Sequence, residues 1–134
     1  MPIKVCDVMT RSIVYGRADS TARELAELIR DRFISSVVIM DGGRVVGIVT
    51  QRDLISKAMA VGLDPGKVKA SDLMSKPVAT IDSEAELEEA ARIMRDKRIK
   101  KLVAVRDGRV EGIVTSFDVV VAEPVIRLLV EKGM

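Results

Sequence analysis

Two copies of one unit fill most of this chain, and that internal repeat limits its architecture more than any other feature. Asp41-Gly42-Gly43-Arg44-Val45-Val46-Gly47-Ile48-Val49-Thr50-Gln51-Arg52-Asp53 returns 65 positions later as Arg106-Asp107-Gly108-Arg109-Val110-Glu111-Gly112-Ile113-Val114-Thr115-Ser116-Phe117-Asp118. The same offset, without a gap, aligns Asp7 with Asp72, Met9 with Met74, Thr10 with Ser75, Glu24 with Glu89 and Val38 with Val103. Self-similarity at a fixed period means that one supersecondary unit is used twice.

Each copy reads β-α-β-β-α. Around Cys6-Asp7-Val8-Met9-Thr10 a helical turn is expected, then a short extended piece at Ile13-Val14-Tyr15. Asp19-Ser20-Thr21 offers N-cap chemistry for a helix from about Thr21 to Phe33, whose apolar face is Ala22, Leu25, Ala26, Leu28 and Ile29. Val37-Val38-Ile39-Met40 is a buried strand, and Asp41-Gly42-Gly43 turns the chain into a returning strand. The following helix is expected from Gln51 to about Val61, with Leu54, Ile55, Ala58 and Met59 on one face. In the second copy, Ser83-Glu84-Ala85-Glu86 predicts a capping box, and Asp107-Gly108 a two-residue hairpin turn. Residues 1–61 thus form the first repeat with its N-terminal segment, 62–69 a Pro/Gly linker and 70–122 the second repeat. Residues 123–134 form a C-terminal helical extension, broken near Pro124. One copy is too small to bury its own faces. An α/β (α+β) module of two copies paired about a pseudo-two-fold axis, with two clefts between them, solves that.

Composition narrows the chemistry. There is no Trp and almost no aromatic residue, so the core must be aliphatic. A net charge of +2, with acids and bases nearly balanced, does not fit a nucleic-acid binder. No apolar run reaches the roughly 18 residues of a membrane span, nor does the N-terminus read as a signal peptide. The single Cys6 fits a reducing compartment, hence the cytoplasm. With no His and one Cys, neither a zinc or haem site nor a nucleophile–base pair is expected, so no metal, obligatory cofactor or catalytic residue is assigned.

The chemistry-bearing motif is Thr-x-x-Asp at each strand-to-helix junction. Its plain reading is a helix cap, with Thr50 and Thr115 at N-cap and Asp53 and Asp118 at N3. Gly47 and Gly112 just before it leave room for another group to approach the backbone. The junctions also combine free N–H groups, a hydroxyl and a carboxylate able to accept both hydroxyls of a ribose.

Gly-Ile-Val-Thr-x-x-Asp, twice, each time downstream of a Val-Met-Thr or Leu-Met-Ser opening, resembles the paired cystathionine β-synthase (CBS) domains of a Bateman module, over about residues 5–122. The resemblance implies a regulatory module that binds AMP, ADP, ATP or S-adenosylmethionine, with AMP first among them, and signals to a regulated partner protein. Residue by residue, it implies one cleft built from Thr115, Asp118, Ser12, Ile13, Val14, Ser35 and Ser36. The other cleft would join Thr50 and Asp53 with Lys76, Pro77, Val78, Ala79, Lys100 and Lys101. Arg52 and Lys76 beside Lys100 and Lys101 would make the Asp53 cleft the one that prefers phosphate. Phe117, aligned with Arg52, is a further candidate contact, or else packs in the core or a dimer. Two departures from the family pattern stand out: Ser12 where the second copy has Pro77, and no Pro ahead of the strands at Val37 and Leu102. The apolar Leu54, Ile55, Val119, Val120 and Val121 exceed what one small core needs, so a homodimer is expected. The alternative is a constitutive dimeric scaffold with vestigial clefts.

Overall fold

The protein is described from a computed structural model covering residues 2–122. Each copy of the repeat builds a three-stranded sheet. The first holds β1 (Tyr15–Arg17), β2 (Ser36–Asp41) and β3 (Arg44–Thr50), in that order, with β1 parallel and β3 antiparallel to β2. The second repeats this with β4 (Thr80–Asp82), β5 (Lys101–Arg106) and β6 (Arg109–Thr115). The parallel pairs are bridged by α2 (Ala22–Arg32) and α5 (Leu87–Lys97).

Local chemistry explains these elements. The Glu24 N–H donates to Thr21 Oγ1 at 3.2 Å, closing the capping box that starts α2. Ala22, Leu25 and Ile29 then fall at helical spacing on the buried face. Both hairpin turns take positive φ at their two central residues, Gly42 (58°) and Gly43 (78°), then Asp107 (51°) and Gly108 (76°). That is the type I′ geometry whose twist matches the flanking strands. The pairing shifts after Ile39 and after Ala104, leaving Val46 and Glu111 as the extra residues of two bulges.

The sequence repeats and the compact units are offset by one opening segment. One unit is Ile13–Val78, and the other joins the residues up to Ser12 with those from Ala79 onward. Thus α1 (Val5–Val8) of the first copy lies against the second sheet, and α4 (Ala70–Leu73) of the second copy lies against the first. Thr10 and Ile113 exchange two backbone hydrogen bonds of 2.9 Å, and Ser75 and Ile48 do the same at 2.9 and 3.3 Å. Val5 and Met9 join the core of Leu87, Ala90, Met94, Leu102 and Val114, while Ala70 and Leu73 join that of Leu25, Ile29, Val37 and Val49. Burying a side chain such as Leu73 contributes about 1.5–3 kcal/mol. Stretch 62–69, expected as a linker, is tied down as well: Val68 and Pro65 carbonyls accept from the Ala22 and Arg23 N–H groups at 2.9 Å.

Three local expectations are corrected. The first extended piece is Tyr15–Arg17, two residues later than read, although the Val14 carbonyl accepts from the Val38 N–H at 3.1 Å. Ser83 does not cap α5, because the helix begins at Leu87 and Glu86 stands where the first copy has Thr21. The Ser83 hydroxyl, buried, donates to the Glu111 carboxylate at 2.5 Å instead. Finally, the helix after β3 is α only over α3 (Gln51–Asp53) and continues as a π-helix, Leu54–Met59. Its i→i+5 bonds, such as Ala60 N–H to the Ile55 carbonyl at 2.8 Å, turn the side chains off α spacing. Of the apolar face expected over this stretch, only part is buried. Ala58 is buried and Leu54 half-buried, but Ile55 and Met59 are exposed. In the second copy α6 (Ser116–Ala122) follows β6. The extension 123–134 and the break at Pro124 lie outside the described residues.

A Cβ on Gly47 would sit 2.6 Å from Met74 Cγ, and one on Gly112 would sit 2.8 Å from both Met9 Cγ and the Thr10 carbonyl oxygen. Gly47→Ala and Gly112→Ala are each expected to destabilise by about 1–3 kcal/mol through overpacking, read by urea denaturation. Met74→Ala should recover part of the Gly47→Ala loss. Met9→Ala should recover less at Gly112, where a backbone atom also obstructs.

Candidate functional site

The two Thr-x-x-Asp junctions form because an extended strand must become a helix within one residue. Thr50 keeps extended backbone (φ −103°, ψ 167°) while the next residue turns helical. The Thr50 N–H donates to Asp53 Oδ2 at 2.9 Å, and the Asp53 N–H donates back to Thr50 Oγ1 at 3.1 Å. In the second copy Thr115 N–H to Asp118 Oδ2 is 2.8 Å and Asp118 N–H to Thr115 Oγ1 is 3.2 Å. Both pairs are reciprocal caps, as the spacing predicts. The space left by Gly47 and Gly112 is taken by Met74 and Met9, a correction to their expected role beside a ligand.

The hairpin register decides which side chains flank each motif. Ser36 pairs with Thr50, and the Gln51 N–H donates to the Ser35 carbonyl at 3.0 Å. Lys101 pairs with Thr115, and the Ser116 N–H donates to the Lys100 carbonyl at 2.9 Å. The serines therefore neighbour Asp53, and the lysines neighbour Asp118, each within its own unit. Within its own unit, then, Asp118 is the acid that the two lysines flank. Burial pushes the Lys101 ammonium below its ordinary pKa, Asp118 pulls it back up, and Lys100 pushes it down again.

Ile13 and Val14 stand half-buried ahead of β1, with Ser12 exposed before them. Lys76 and Pro77 are exposed, joined by a cis peptide, and Val78 and Ala79 are half-buried as the chain approaches β4. Arg52 and Phe117 occupy equivalent positions and both are exposed, so Phe117, at 63% exposure, is not a core residue of its unit.

One participant escaped the sequence reading. Lys57 Nζ lies 3.0 Å from Asp53 Oδ1 and donates to the Leu73 carbonyl at 3.1 Å. Asp53-x-x-x-Lys57 is an i,i+4 acid–base pair, a spacing that was visible in the sequence. Cys6, in turn, donates its thiol to Glu84 Oε2 at 3.2 Å, which holds its pKa above the ordinary thiol value and disfavours the reactive thiolate. Among the described residues no group of His, Cys, Asp and Glu is placed to hold a metal ion, and no helix is long and apolar enough to cross a membrane.

Two like units, each a sheet with a bridging helix and a capped Thr-x-x-Asp junction, define a regulatory ligand-binding module. The chain belongs to the CBS domain family: the family description "CBS domain" matches residues 5–60 and again 70–124. An uncharacterised protein of Methanopyrus kandleri is 38% identical over 134 residues, covering 98% of this chain and 68% of that one. A CBS-domain containing protein from Agrobacterium tumefaciens superposes with a TM-score of 0.81 at 28% identity, covering 89% of this chain and 98% of that one. The cytosolic domain of the Mg2+ channel MgtE, solved in complex with ATP, superposes with a TM-score of 0.70 at 31% identity, over 84% of this chain and 45% of that one.

Thr50→Ala and Thr115→Ala are expected to lower stability by about 1 kcal/mol each, measured by thermal denaturation. Because the folded-state pKa of Lys101 is depressed, the unfolded chain holds that proton more tightly. Stability should therefore rise with pH between the folded pKa and the ordinary value of 10.5, and below that window the burial penalty is present in full. Lys101→Met should abolish the rise in a series of melting curves across that range.

Proposed function

We propose that this CBS pair is a sensor of adenosine-containing ligands, AMP first, with ADP, ATP and S-adenosylmethionine as the other candidates. The ligand is held at a Thr-x-x-Asp junction, and its occupancy is read by a regulated partner protein. The observation that carries this reading is the grouping of Thr115, Asp118, Lys100 and Lys101 at one junction. A carboxylate fixed by the Thr115 N–H can accept the two hydroxyls of a ribose, and neighbouring ammonium groups suit a phosphate. The phosphate preference is accordingly assigned to the Asp118 end. The ATP complex of the similar MgtE domain supports the choice of ligand class. No catalytic step is proposed.

Exposed Ile55, Met59, Phe117 and Val120 support a homodimer formed through the helices that follow the motifs, and the reduced Cys6 suits a cytoplasmic setting. A constitutive dimeric scaffold is the second reading, favoured by the fact that both motifs already satisfy themselves as caps.

Thermal shift with AMP, ADP, ATP, S-adenosylmethionine and GTP separates the two readings. An adenosine ligand at 100 times its Kd should stabilise by about 2.7 kcal/mol. Asp118→Ala should remove that response by losing a charged hydrogen-bond acceptor, in addition to about 1 kcal/mol of cap stability. No shift in the wild type with any of the five compounds would leave the scaffold reading.

A further inference from the structure

We propose that Lys57 is a built-in occupant of the Asp53 carboxylate, so that the two Thr-x-x-Asp junctions are functionally unequal and only the Asp118 end takes ligand in the native protein. Both oxygens of Asp53 are engaged: Oδ2 accepts the Thr50 N–H at 2.9 Å, and Oδ1 lies 3.0 Å from Lys57 Nζ. The Asp53 side chain is only 9% exposed, so this contact is shielded from solvent on the acid's side. The same ammonium donates to the Leu73 carbonyl at 3.1 Å, at the C-terminal residue of α4. Lys57 is therefore held at two points, one at the end of α3 just before its own π segment and one on the opening turn docked from the second copy.

The second copy has no equivalent among the described residues. Ala122 stands at the position aligned with Lys57. Asp118 accepts the Thr115 N–H through Oδ2, and among the described residues its Oδ1 has no hydrogen-bond partner, with Lys101 acting on the carboxylate electrostatically. A diol approaching Asp53 would have to displace an ammonium. Charge-assisted hydrogen bonds of that kind on both partners are roughly twice as strong as those between neutral groups, and displacement would also strip the donor from the Leu73 carbonyl. A diol approaching Asp118 meets an acceptor oxygen directly. Lys57 is thus a specificity-determining residue that acts by occupying a site.

The choice of ligand rests on the adenosine reading, and the variants keep the two ideas apart. AMP binding is counted by isothermal titration calorimetry in the wild type, Asp118→Asn, Asp53→Asn, Lys57→Ala and the pair Lys57→Ala with Asp118→Asn. The wild type should bind one AMP per chain. Asp118→Asn should weaken that by about tenfold or more, Asp53→Asn should leave it in place, and Lys57→Ala should add a second site that survives in the paired variant. Lys57→Gln, which can still donate to the Leu73 carbonyl, should give the same gain if Lys57→Ala does not fold. Loss of wild-type binding in Asp53→Asn, or no added site on removing the Lys57 charge, overturns the proposal. Absence of AMP binding in the wild type and in Lys57→Ala alike overturns the adenosine reading together with the proposal built on it, whereas wild-type binding with no added site in Lys57→Ala overturns this proposal alone.

Discussion

The opening turn of each copy can lie on the other copy's sheet only because Gly47 and Gly112 carry no side chain. Met74 and Met9 fill the space that a Cβ would need, and the adjacent backbone pairs Ser75 with Ile48 and Thr10 with Ile113. With that contact in place, Leu73 and Ala70 complete one core, and Val5 and Met9 complete the other. It also sets the end of α4 beside the π segment, where the Leu73 carbonyl comes within reach of Lys57. Each sheet is short, and its core includes residues from the opposite copy, so neither copy of the sequence is a folding unit by itself.

The same few atoms serve stability and recognition at the strand-to-helix junctions. A carboxylate that satisfies a backbone N–H through one oxygen keeps a second acceptor, and what occupies that acceptor decides the junction's character. At Asp53 an ammonium from the next turn fills it. At Asp118 the positive charge of Lys101 comes from the paired strand and is disfavoured by its own burial. Identical motifs in sequence are therefore different electrostatic environments, and the difference traces to Lys57 against Ala122 and to Ser35-Ser36 against Lys100-Lys101.

Most of the local architecture could be read directly. The Gly-containing turns announced both hairpins, Asp19-Ser20-Thr21 announced the start of α2, and Thr-x-x-Asp announced two reciprocal caps. Each of these signals acts over three or four residues, so the chain neighbours alone specify it. The π segment was not legible, since its i→i+5 bonds form with the same apolar and helix-favouring residues that an α-helix would use. Nor was the role of Ser83, whose capping-box spacing was real but whose partner, Glu111, comes from a bulge 28 residues away. The neighbours of each motif were partly legible: counting back from a two-residue turn places Ser35 opposite Thr50 and Lys100 opposite Thr115, which already sets the lysines beside Asp118, while the bulges move the actual partners one residue on, to Ser36 and Lys101.

By itself, then, the sequence determined a duplicated β-α-β-β-α unit of the CBS family, its caps and its turns, because these depend on spacing along one stretch of chain. Only the tertiary structure decided that the opening turns are exchanged, that methionines fill the glycine gaps, and that Lys57 holds both Asp53 and the Leu73 carbonyl. Those outcomes depend on which surfaces meet once the chain has folded back on itself. A periodicity of 65 residues is indifferent to whether a segment packs on its own copy or on the other.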